Sequence, residues 1–196
     1  MFSDNKTINI LTALLMRHGI RHAVTCPGSR NAPICHNLNE AGIACHPVTD
    51  ERSAAFFGIG LCQATGGPVA VCVTSGSAIL DTAPAVAEAY YQRVPLIVIA
   101  ADRPSAWIGQ LDGQTMPQTG ALGGMARKAV CLPEGDTAED LWHAGRLVNE
   151  ALMAATGRAR GPVLINVPIR EPLYEFHTER LPDVRVCRAV EDEGEG

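Results

Sequence analysis

The chain has 196 residues and a formal net charge of −5, and 46% of its residues are hydrophobic while only 5% are aromatic. This composition suits a single compact globular domain, and the negative charge argues against a nucleic-acid partner or an anionic membrane surface. No apolar run reaches the roughly 18 residues that a membrane-spanning helix needs, and the first residues lack the pattern of a signal peptide, so we expect a soluble, cytoplasmic protein.

The amino-terminal quarter of the chain predicts two helices that alternate with two short strands. Asp4 can cap a first helix that should end at Gly19, because glycine favours the left-handed conformation that ends helices. A strand over residues 22–26 and a helix over residues 32–40 follow. A second strand over residues 44–48 then leads directly into an acidic pair.

That pair opens a helix of small and apolar residues, with Asp50 suited to its N-cap and Glu51 to its first turn. The helix is apolar nearly all round, which predicts burial. Gly58 and Gly60 would each cost about 1 kcal/mol relative to alanine, so we expect another backbone or a cofactor to approach closely there. Glu51 is then expected at a packed junction with little water, where a carboxylate can hold or pass a proton. A simple helix cap is the alternative interpretation.

Three continuous apolar runs follow in the rest of the chain, and runs without polar alternation are typical of strands buried on both faces of a parallel sheet. They cover residues 68–74, 95–101 and 161–167. After the first run, the turn Thr74-Ser75-Gly76-Ser77 opens a helix to about Tyr91, and Ser75 or Ser77 could cap it.

Between the second and third runs lies a long segment, residues 102–125, that is rich in Gly, Gln and Pro and shows no periodicity. Loops of this length in compact domains are usually functional or disordered. A short strand over residues 128–132 and an amphipathic helix over residues 137–156 complete the pattern.

Strands and helices alternate throughout, which predicts a doubly wound α/β domain with a mostly parallel sheet of about six strands and helices on both faces. We expect this domain to cover residues 1–180, with residues 181–196 as a linker or disordered tail. Such sheets bind ligands at the carboxyl ends of their strands. The polar turns PGSRN, TDE, TSGS and ADRP all follow strands, so we expect them to form one site. No dinucleotide or P-loop fingerprint occurs.

Seven cysteines are scattered at irregular spacing, mostly within apolar runs, and neither a CxxC pair nor a zinc-finger spacing occurs. His18 and His22 stand four residues apart, but Gly19 should end the helix between them, so the two rings would not share one helix face. We therefore expect reduced, mostly buried thiols and no metal site.

Two arginines are candidate ligands for anionic substrates. Ser29 and Arg30 lie between a strand end and a helix start, where backbone N–H groups and a guanidinium could grip a carboxylate together. Arg103 offers a second guanidinium after a different strand. Either arginine alone could equally bridge Asp102 or a helix C-terminus, but two arginines near Glu51 at one sheet edge favour a binding site.

Five motifs, in order from about Leu11 to Tyr174, resemble the amino-terminal, pyrimidine-binding domain of the MenD family: PGSRNAPI, TDERSAAFFGIGL, GPVAVCVTSGSA, PLIVIAADRP and GPVLINVPIREPLY. These thiamine-diphosphate-dependent enzymes join decarboxylated 2-oxoglutarate to isochorismate in menaquinone biosynthesis. The resemblance implies that Glu51 hydrogen-bonds N1′ of the cofactor's aminopyrimidine and favours the tautomer that removes the C2 proton of the thiazolium. It implies two further sets of residues: Pro27, Thr74 and Gly76 near the pyrimidine, and Ser29, Arg30, Arg103 and Gln114 on substrate carboxylates or hydroxyls.

The sequence departs from the family pattern at two places. Gly113 precedes Gln114 where family members tend to carry asparagine. The GDG motif that holds the metal and diphosphate is absent, since the only Asp-Gly pair, Asp112-Gly113, follows Leu111, and Asn149 lies deep in a predicted helix. We therefore expect Mg²⁺ or Mn²⁺ to be held by the diphosphate-binding domain of a partner subunit in a homo-oligomer.

The middle and diphosphate-binding domains of the family are absent from this chain, so we expect the fragment alone to be inactive. Two alternatives stay open. The chain could belong to another thiamine-diphosphate enzyme of the acetolactate synthase or 2-oxoacid decarboxylase type, or it could be a non-catalytic binding or dimerisation module.

Overall fold

A computed structural model describes residues 1–188. Six strands form one parallel sheet in the order β2-β1-β3-β4-β6-β5. The strands are β1 (His22–Thr25), β2 (Ala44–Pro47), β3 (Val69–Val73), β4 (Leu96–Asp102), β5 (Lys128–Cys131) and β6 (Val163–Pro168). The helices are α1 (Lys6–Arg17), α2 (Ala32–Glu40), α3 (Glu51–Thr65), α4 (Ala78–Asp81), α5 (Ala83–Gln92) and α6 (Ala138–Thr156). Two short 3₁₀ turns, Ser105–Trp107 and Gly123–Met125, lie in the long loop after β4.

The helices cover both faces of the sheet. Helices α1, α2 and α6 build one apolar cluster against one face, and α3, α4 and α5 build a second cluster against the other. Every residue of β3 and of β4 is buried, as expected for central strands of a parallel sheet. The predicted doubly wound α/β architecture with six parallel strands is therefore confirmed.

The chain reverses its direction across the sheet between β1 and β3. After β1 the chain passes through α2 on one face to β2, and after β2 it passes through α3 on the opposite face to β3. In doubly wound sheets, ligands bind in the crevice outside the carboxyl ends of the strands at such a reversal. Here that crevice is formed by the turns that follow β1 and β3.

Helix α3 packs against the sheet with one face only. The prediction that it is buried all round is wrong, because Phe56 and Phe57 are 44% and 46% exposed. Within residues 1–188 no element covers this outer face. Glu51, at the amino end of the helix, is correspondingly half-buried rather than held in a dry junction.

The two glycines of α3 lie in different surroundings. A Cβ atom at Gly58 would lie 2.7 Å from Cγ2 of Val71 and 2.9 Å from Cδ1 of Leu96, so the helix packs closely there on side chains of the sheet, whereas the prediction was another backbone or a cofactor. A Cβ atom at Gly60 would meet nothing within 4 Å in residues 1–188, so the predicted close approach does not occur there.

Some predicted helix ends and caps are wrong in detail. Asn5, not Asp4, caps α1, because its side chain accepts the N–H of Ile8, while the carboxylate of Asp4 contacts His177. The predicted single helix after β3 is interrupted between α4 and α5, where Pro84 lacks the N–H that would continue the hydrogen-bond ladder. The side chain of Ser77 makes no capping bond to α4.

The carboxy-terminal segment of the described chain runs without helix or strand over residues 181–188. Asn149 of α6 donates to the backbone carbonyl of Arg185 and accepts the N–H of Cys187, at 3.0 and 2.8 Å. The domain boundary at residue 180 stays a prediction, and the part of the predicted linker or disordered tail beyond residue 188 lies outside the described residues. Within residues 1–188, no helix combines the length and apolarity needed to cross a lipid bilayer.

Candidate functional site

The turn after β1 packs tightly against the turn after β3. A Cβ atom at Gly28 would lie 2.4 Å from Cβ of Thr74 and 2.7 Å from Oδ1 of Asn31, so only glycine fits at this position. The Asn31 side chain donates from Nδ2 to the carbonyl of Cys26 at 2.8 Å and thereby holds the turn in place. Pro27 is exposed beside this contact. The structure thus brings Pro27 and Thr74 together in one small cradle.

The long loop after β4 folds over the turn after β3. Gly76 has a φ of +83°, which favours glycine, and a Cβ atom there would lie 2.9 Å from the backbone of Gln114. Gln114 is itself held in the left-handed region with a φ of +54°, and its side chain is exposed. Non-glycine residues in this region concentrate at functional sites. Gly76 and Gln114, assigned from sequence to cofactor and substrate, are therefore direct neighbours.

Gln118 links these turns to the sheet and was not predicted from the sequence. Its side chain is 1% exposed. Oε1 accepts the N–H of Gly76 at 2.6 Å, while Nε2 donates to the carbonyl of Ala101 at 3.1 Å and to Oδ1 of Asn166 at 2.8 Å. One feature of the sequence could have pointed to such a residue. Asn166 is a polar residue in the otherwise apolar run of β6, and a buried amide needs hydrogen-bond partners from elsewhere in the chain.

The same hydrogen-bonded network continues to Arg103. Asn166 donates from Nδ2 to one carboxylate oxygen of Asp102 at 2.8 Å, and the backbone N–H of Arg103 donates to the other at 2.8 Å. Burial raises the pKa of Asp102, although these hydrogen bonds oppose the shift. A continuous buried chain of hydrogen bonds therefore joins the turn at Gly76 to the arginine at the end of β4.

Arg30 is 6% exposed and lies at the start of α2. Its guanidinium donates to the carbonyl of Ile169 at 3.0 Å and to the carboxylate of Glu171 at 3.3 Å. Burial lowers the pKa of Arg30, and the charge of Arg103 lowers it further. The two guanidinium groups therefore lie close enough to repel each other. Ser29, the neighbour of Arg30, is exposed in the same turn.

Arg103 is half-buried and only loosely held. Its Nη2 donates to the carbonyl of Gly113 at 3.4 Å, and its Nε lies 3.6 Å from the carboxylate of Asp112. Within residues 1–188, four buried side-chain polar atoms lack a hydrogen-bond partner, and these include Nε of both Arg30 and Arg103, and Oδ1 of Asn31. Buried donors of this kind are costly unless a ligand satisfies them, and paired guanidinium groups suit a carboxylate.

Glu51 lies beside the end of β1. Asp50 makes the capping bond to the N–H of Ser53 at 2.7 Å, which confirms the predicted cap and leaves the Glu51 carboxylate available. Burial and then the charge of Glu51 raise the pKa of the Cys26 thiol to about 12. The backbone N–H of Val48 donates to the carbonyl of Thr25 at 3.1 Å, so the chain enters α3 beside the turn after β1.

Two clefts open beside these turns. One, of about 500 Å³, is lined by the ends of β1 and β2 and the start of α2, including Pro27 and Gly28. The other, of about 640 Å³, is lined by Arg103, Gln118 and the end of β6. Within residues 1–188, no group of three or more His, Cys, Asp or Glu side chains is arranged to hold a metal ion.

The sheet is parallel and doubly wound, and a carboxylate and closely packed glycine turns lie where its strand order reverses. This arrangement is typical of the class of cofactor-binding α/β domains. Residues 5–123 match the family described as thiamine pyrophosphate enzyme, N-terminal TPP binding domain, and the chain belongs to this family.

Several relatives of this chain are named 2-succinyl-5-enolpyruvyl-6-hydroxy-3-cyclohexene-1-carboxylate synthase. The protein of Phocaeicola vulgatus is 59% identical over 187 residues, which cover 95% of this chain and 34% of that protein. The protein of Bacteroides thetaiotaomicron is 57% identical over 95% of this chain and 34% of its own length. The protein of Porphyromonas gingivalis is 45% identical over 88% of this chain and 30% of its own length. The chain spans about a third of the length of these relatives.

Proposed function

We propose that this chain is the pyrimidine-binding domain of a thiamine-diphosphate-dependent synthase that joins decarboxylated 2-oxoglutarate to isochorismate in menaquinone biosynthesis. The name shared by relatives of up to 59% identity supports this assignment. The observation that carries it is the convergence, at one sheet edge, of an available carboxylate, closely packed glycine turns and two arginines whose buried Nε atoms make no hydrogen bond.

The residues present fit the aminopyrimidine end of thiamine diphosphate. Gly28 lets the turn after β1 pack directly against Thr74, so both turns could border a flat ring, and Oδ1 of Asn31 behind this contact lacks a hydrogen-bond partner. When bound, thiamine diphosphate supplies the nucleophilic carbon that reacts with a 2-oxoacid. Glu51 would share a proton with N1′ of the ring, and Pro27 and Gly76 would lie beside the ring on the two turns.

The two arginines favour substrates that carry more than one carboxylate. Both 2-oxoglutarate and isochorismate carry carboxylates beyond the reacting carbon, and the guanidinium groups of Arg30 and Arg103 would each bind one. At Arg30 the substrate carboxylate would take the place of the exposed Glu171 carboxylate. Ser29 and Gln114, exposed in the flanking turns, would hydrogen-bond the remaining oxygens. An acetolactate synthase or simple 2-oxoacid decarboxylase handles smaller substrates with fewer carboxylates, so the paired arginines favour the synthase.

The diphosphate and its Mg²⁺ or Mn²⁺ would be held by a diphosphate-binding domain of a partner subunit in a cytoplasmic homo-oligomer. The outer face of α3, with Phe56 and Phe57 exposed beside Glu51, is the surface that such a domain would cover. Covering it would also remove water from the Glu51 carboxylate, as proton sharing with N1′ requires.

The test uses the full-length protein with thiamine diphosphate, Mg²⁺, 2-oxoglutarate and isochorismate, and follows carbon dioxide release and isochorismate consumption. Arg30→Lys and Arg103→Lys should lower kcat/KM while leaving cofactor affinity unchanged, because lysine keeps the charge but loses the planar fork. Arg158→Lys, at an exposed position, is the matched control. Wild-type kcat/KM in both site variants, or turnover of pyruvate in place of 2-oxoglutarate, would contradict the proposal.

A further inference from the structure

Two thiols meet between α2 and β3, behind the cradle. The Sγ atoms of Cys35 and Cys72 lie 3.8 Å apart, and neither residue forms a disulfide in the described structure. Cys72 is fully buried in the sheet, whereas Cys35 is only half-buried and lines the cleft of about 500 Å³ beside the turn after β1. A small solute in this cleft can therefore reach Cys35, with Cys72 directly behind it.

The surroundings of the two sulfur atoms give them different reactivity. Nδ2 of Asn31 lies 3.4 Å from Sγ of Cys35 and 3.8 Å from Sγ of Cys72, where it can donate to either. The hydrogen bond shared by the two thiols lowers the pKa of Cys35, whereas the same hydrogen bond and complete burial raise the pKa of Cys72 well above its ordinary value. Cys35 is thus the accessible nucleophile, and Cys72 stays a thiol in contact with it.

We propose that Cys35 and Cys72 form a dithiol site that hydroperoxides oxidise to a disulfide. The Cys35 thiolate attacks one oxygen of hydrogen peroxide, the O–O bond breaks, and Cys35 sulfenic acid and hydroxide form; the hydroxide takes the proton that Cys35 released and becomes water. The Cys72 sulfur then attacks the Cys35 sulfur. The S–S bond forms as the S–O bond breaks, and the hydroxyl leaves with the Cys72 proton as a second water.

The geometry requires only a small movement. A disulfide has an S–S distance of about 2.0 Å, so the sulfur atoms must close by about 1.8 Å from their present 3.8 Å. Cys35 on α2 and Cys72 on β3 already have their sulfur atoms in contact, so we expect side-chain rotation to supply this closure. The structure therefore holds the second thiol where it can intercept the sulfenic acid before further oxidation.

The disulfide would also disturb the cradle. Asn31, which contacts both sulfur atoms, holds the turn at Cys26, and Thr74, in the turn after β3, follows Cys72 by two residues. We expect oxidation to weaken thiamine diphosphate binding at least tenfold. This consequence rests on the proposed function, whereas the disulfide itself does not.

The first experiment treats the full-length protein with hydrogen peroxide, blocks the remaining thiols and digests with trypsin. The expected product is peptide 31–52 joined to peptide 53–93 and two hydrogens lighter than their sum, lost again on reduction. Each peptide has a second cysteine, Cys45 or Cys62, so fragmentation must place the bond. Cys45→Ser and Cys62→Ser should keep the bond, and Cys35→Ser should abolish it. A bond through Cys45 or Cys62, or Cys35 sulfinic acid without a bond, would overturn the proposal.

The second experiment measures thiamine diphosphate affinity of the reduced and oxidised full-length protein. A loss of at least tenfold on oxidation, absent in Cys35→Ser, supports the coupling. Unchanged affinity in a protein that carries the disulfide would overturn the coupling alone. Failure of the reduced protein to bind thiamine diphosphate would overturn the proposed function, while the peptide result would still decide the dithiol site.

Discussion

Replacing Gln118 with leucine tests whether the buried network holds the turn after β3 in place. Leucine has nearly the same size but can neither donate nor accept a hydrogen bond. In Gln118→Leu the N–H of Gly76 and Oδ1 of Asn166 lose their partners at 2.6 and 2.8 Å, in surroundings with almost no water. A buried polar group left without a partner costs about 1–3 kcal/mol. Two such groups predict a loss of roughly 2–6 kcal/mol, a large part of a typical domain's stability of about 5–15 kcal/mol.

The assay combines urea unfolding with hydrogen exchange at Gly76. The amide of Gly76 should be protected in the wild type and exchange at least tenfold faster in Gln118→Leu, because its acceptor is gone. Gln110→Leu, in the same loop with an exposed side chain, is the control and should change stability by less than about 0.5 kcal/mol. If Gln118→Leu also stayed within about 0.5 kcal/mol and Gly76 kept its protection, the network would have no role in holding the turn.

Three further predictions follow from close contacts and charge pairs. In the 196-residue chain, Gly58→Ala should lower the free energy of unfolding by roughly 1–3 kcal/mol because the added carbon collides with Val71 and Leu96. Gly60→Ala, where nothing lies within 4 Å, should raise the free energy of unfolding by up to about 1 kcal/mol. Equal urea midpoints for the two variants would contradict the packing of α3. Gly28→Ala in the full-length protein should weaken thiamine diphosphate binding at least tenfold by calorimetry, because the added carbon collides with the turn after β3, and unchanged affinity would place the cofactor elsewhere. The hydrogen bond to Asp4 raises the pKa of His177, and that to His177 lowers the pKa of Asp4. The stabilisation from this Asp4–His177 pair should therefore be greatest between pH 4 and pH 6.5, about the pKa values of the two groups in the unfolded chain. It should fall as the pH rises through the pKa of His177 in the folded protein, or drops through that of Asp4. In an NMR titration of Asp4→Asn, the pKa of His177 should return to about 6.5.

The sequence predicted the elements that are determined by their own residues and immediate neighbours. The central strands could be read to within a residue or two because β-branched apolar runs are bounded by Gly and Pro, as at β3 and β4. Asp50 could be assigned as a cap because its acidic side chain directly precedes an apolar helix. At the start of α1, two capping residues stand side by side, and the choice of Asn5 depends on His177, which is distant in the sequence.

The rest depended on contacts that one sequence does not encode locally. Gln118 lies in a loop without periodicity, and its importance comes from three partners on other segments. The exposed face of α3 was predicted as buried because its composition is apolar. Composition alone does not distinguish an apolar helix face that packs inside the chain from one that stays exposed. The face that carries Phe56 is exposed within residues 1–188. The positions of Arg30, Arg103 and Glu51 at one edge followed from strand topology, but their functional roles stay proposals.

The central claim is that the Glu51 carboxylate shares a proton with N1′ of bound thiamine diphosphate, and hydrogen–deuterium exchange at C2 of the cofactor on the full-length protein tests it most directly. Glu51→Gln keeps the shape and a hydrogen bond but removes the acidic group, so exchange should slow by about 10²–10⁴-fold while cofactor affinity is retained. Asp50→Asn, which preserves the neighbouring cap, should leave the exchange rate unchanged. A wild-type exchange rate in Glu51→Gln would leave Glu51 with only its helix-terminal charge, and would contradict the account of this site.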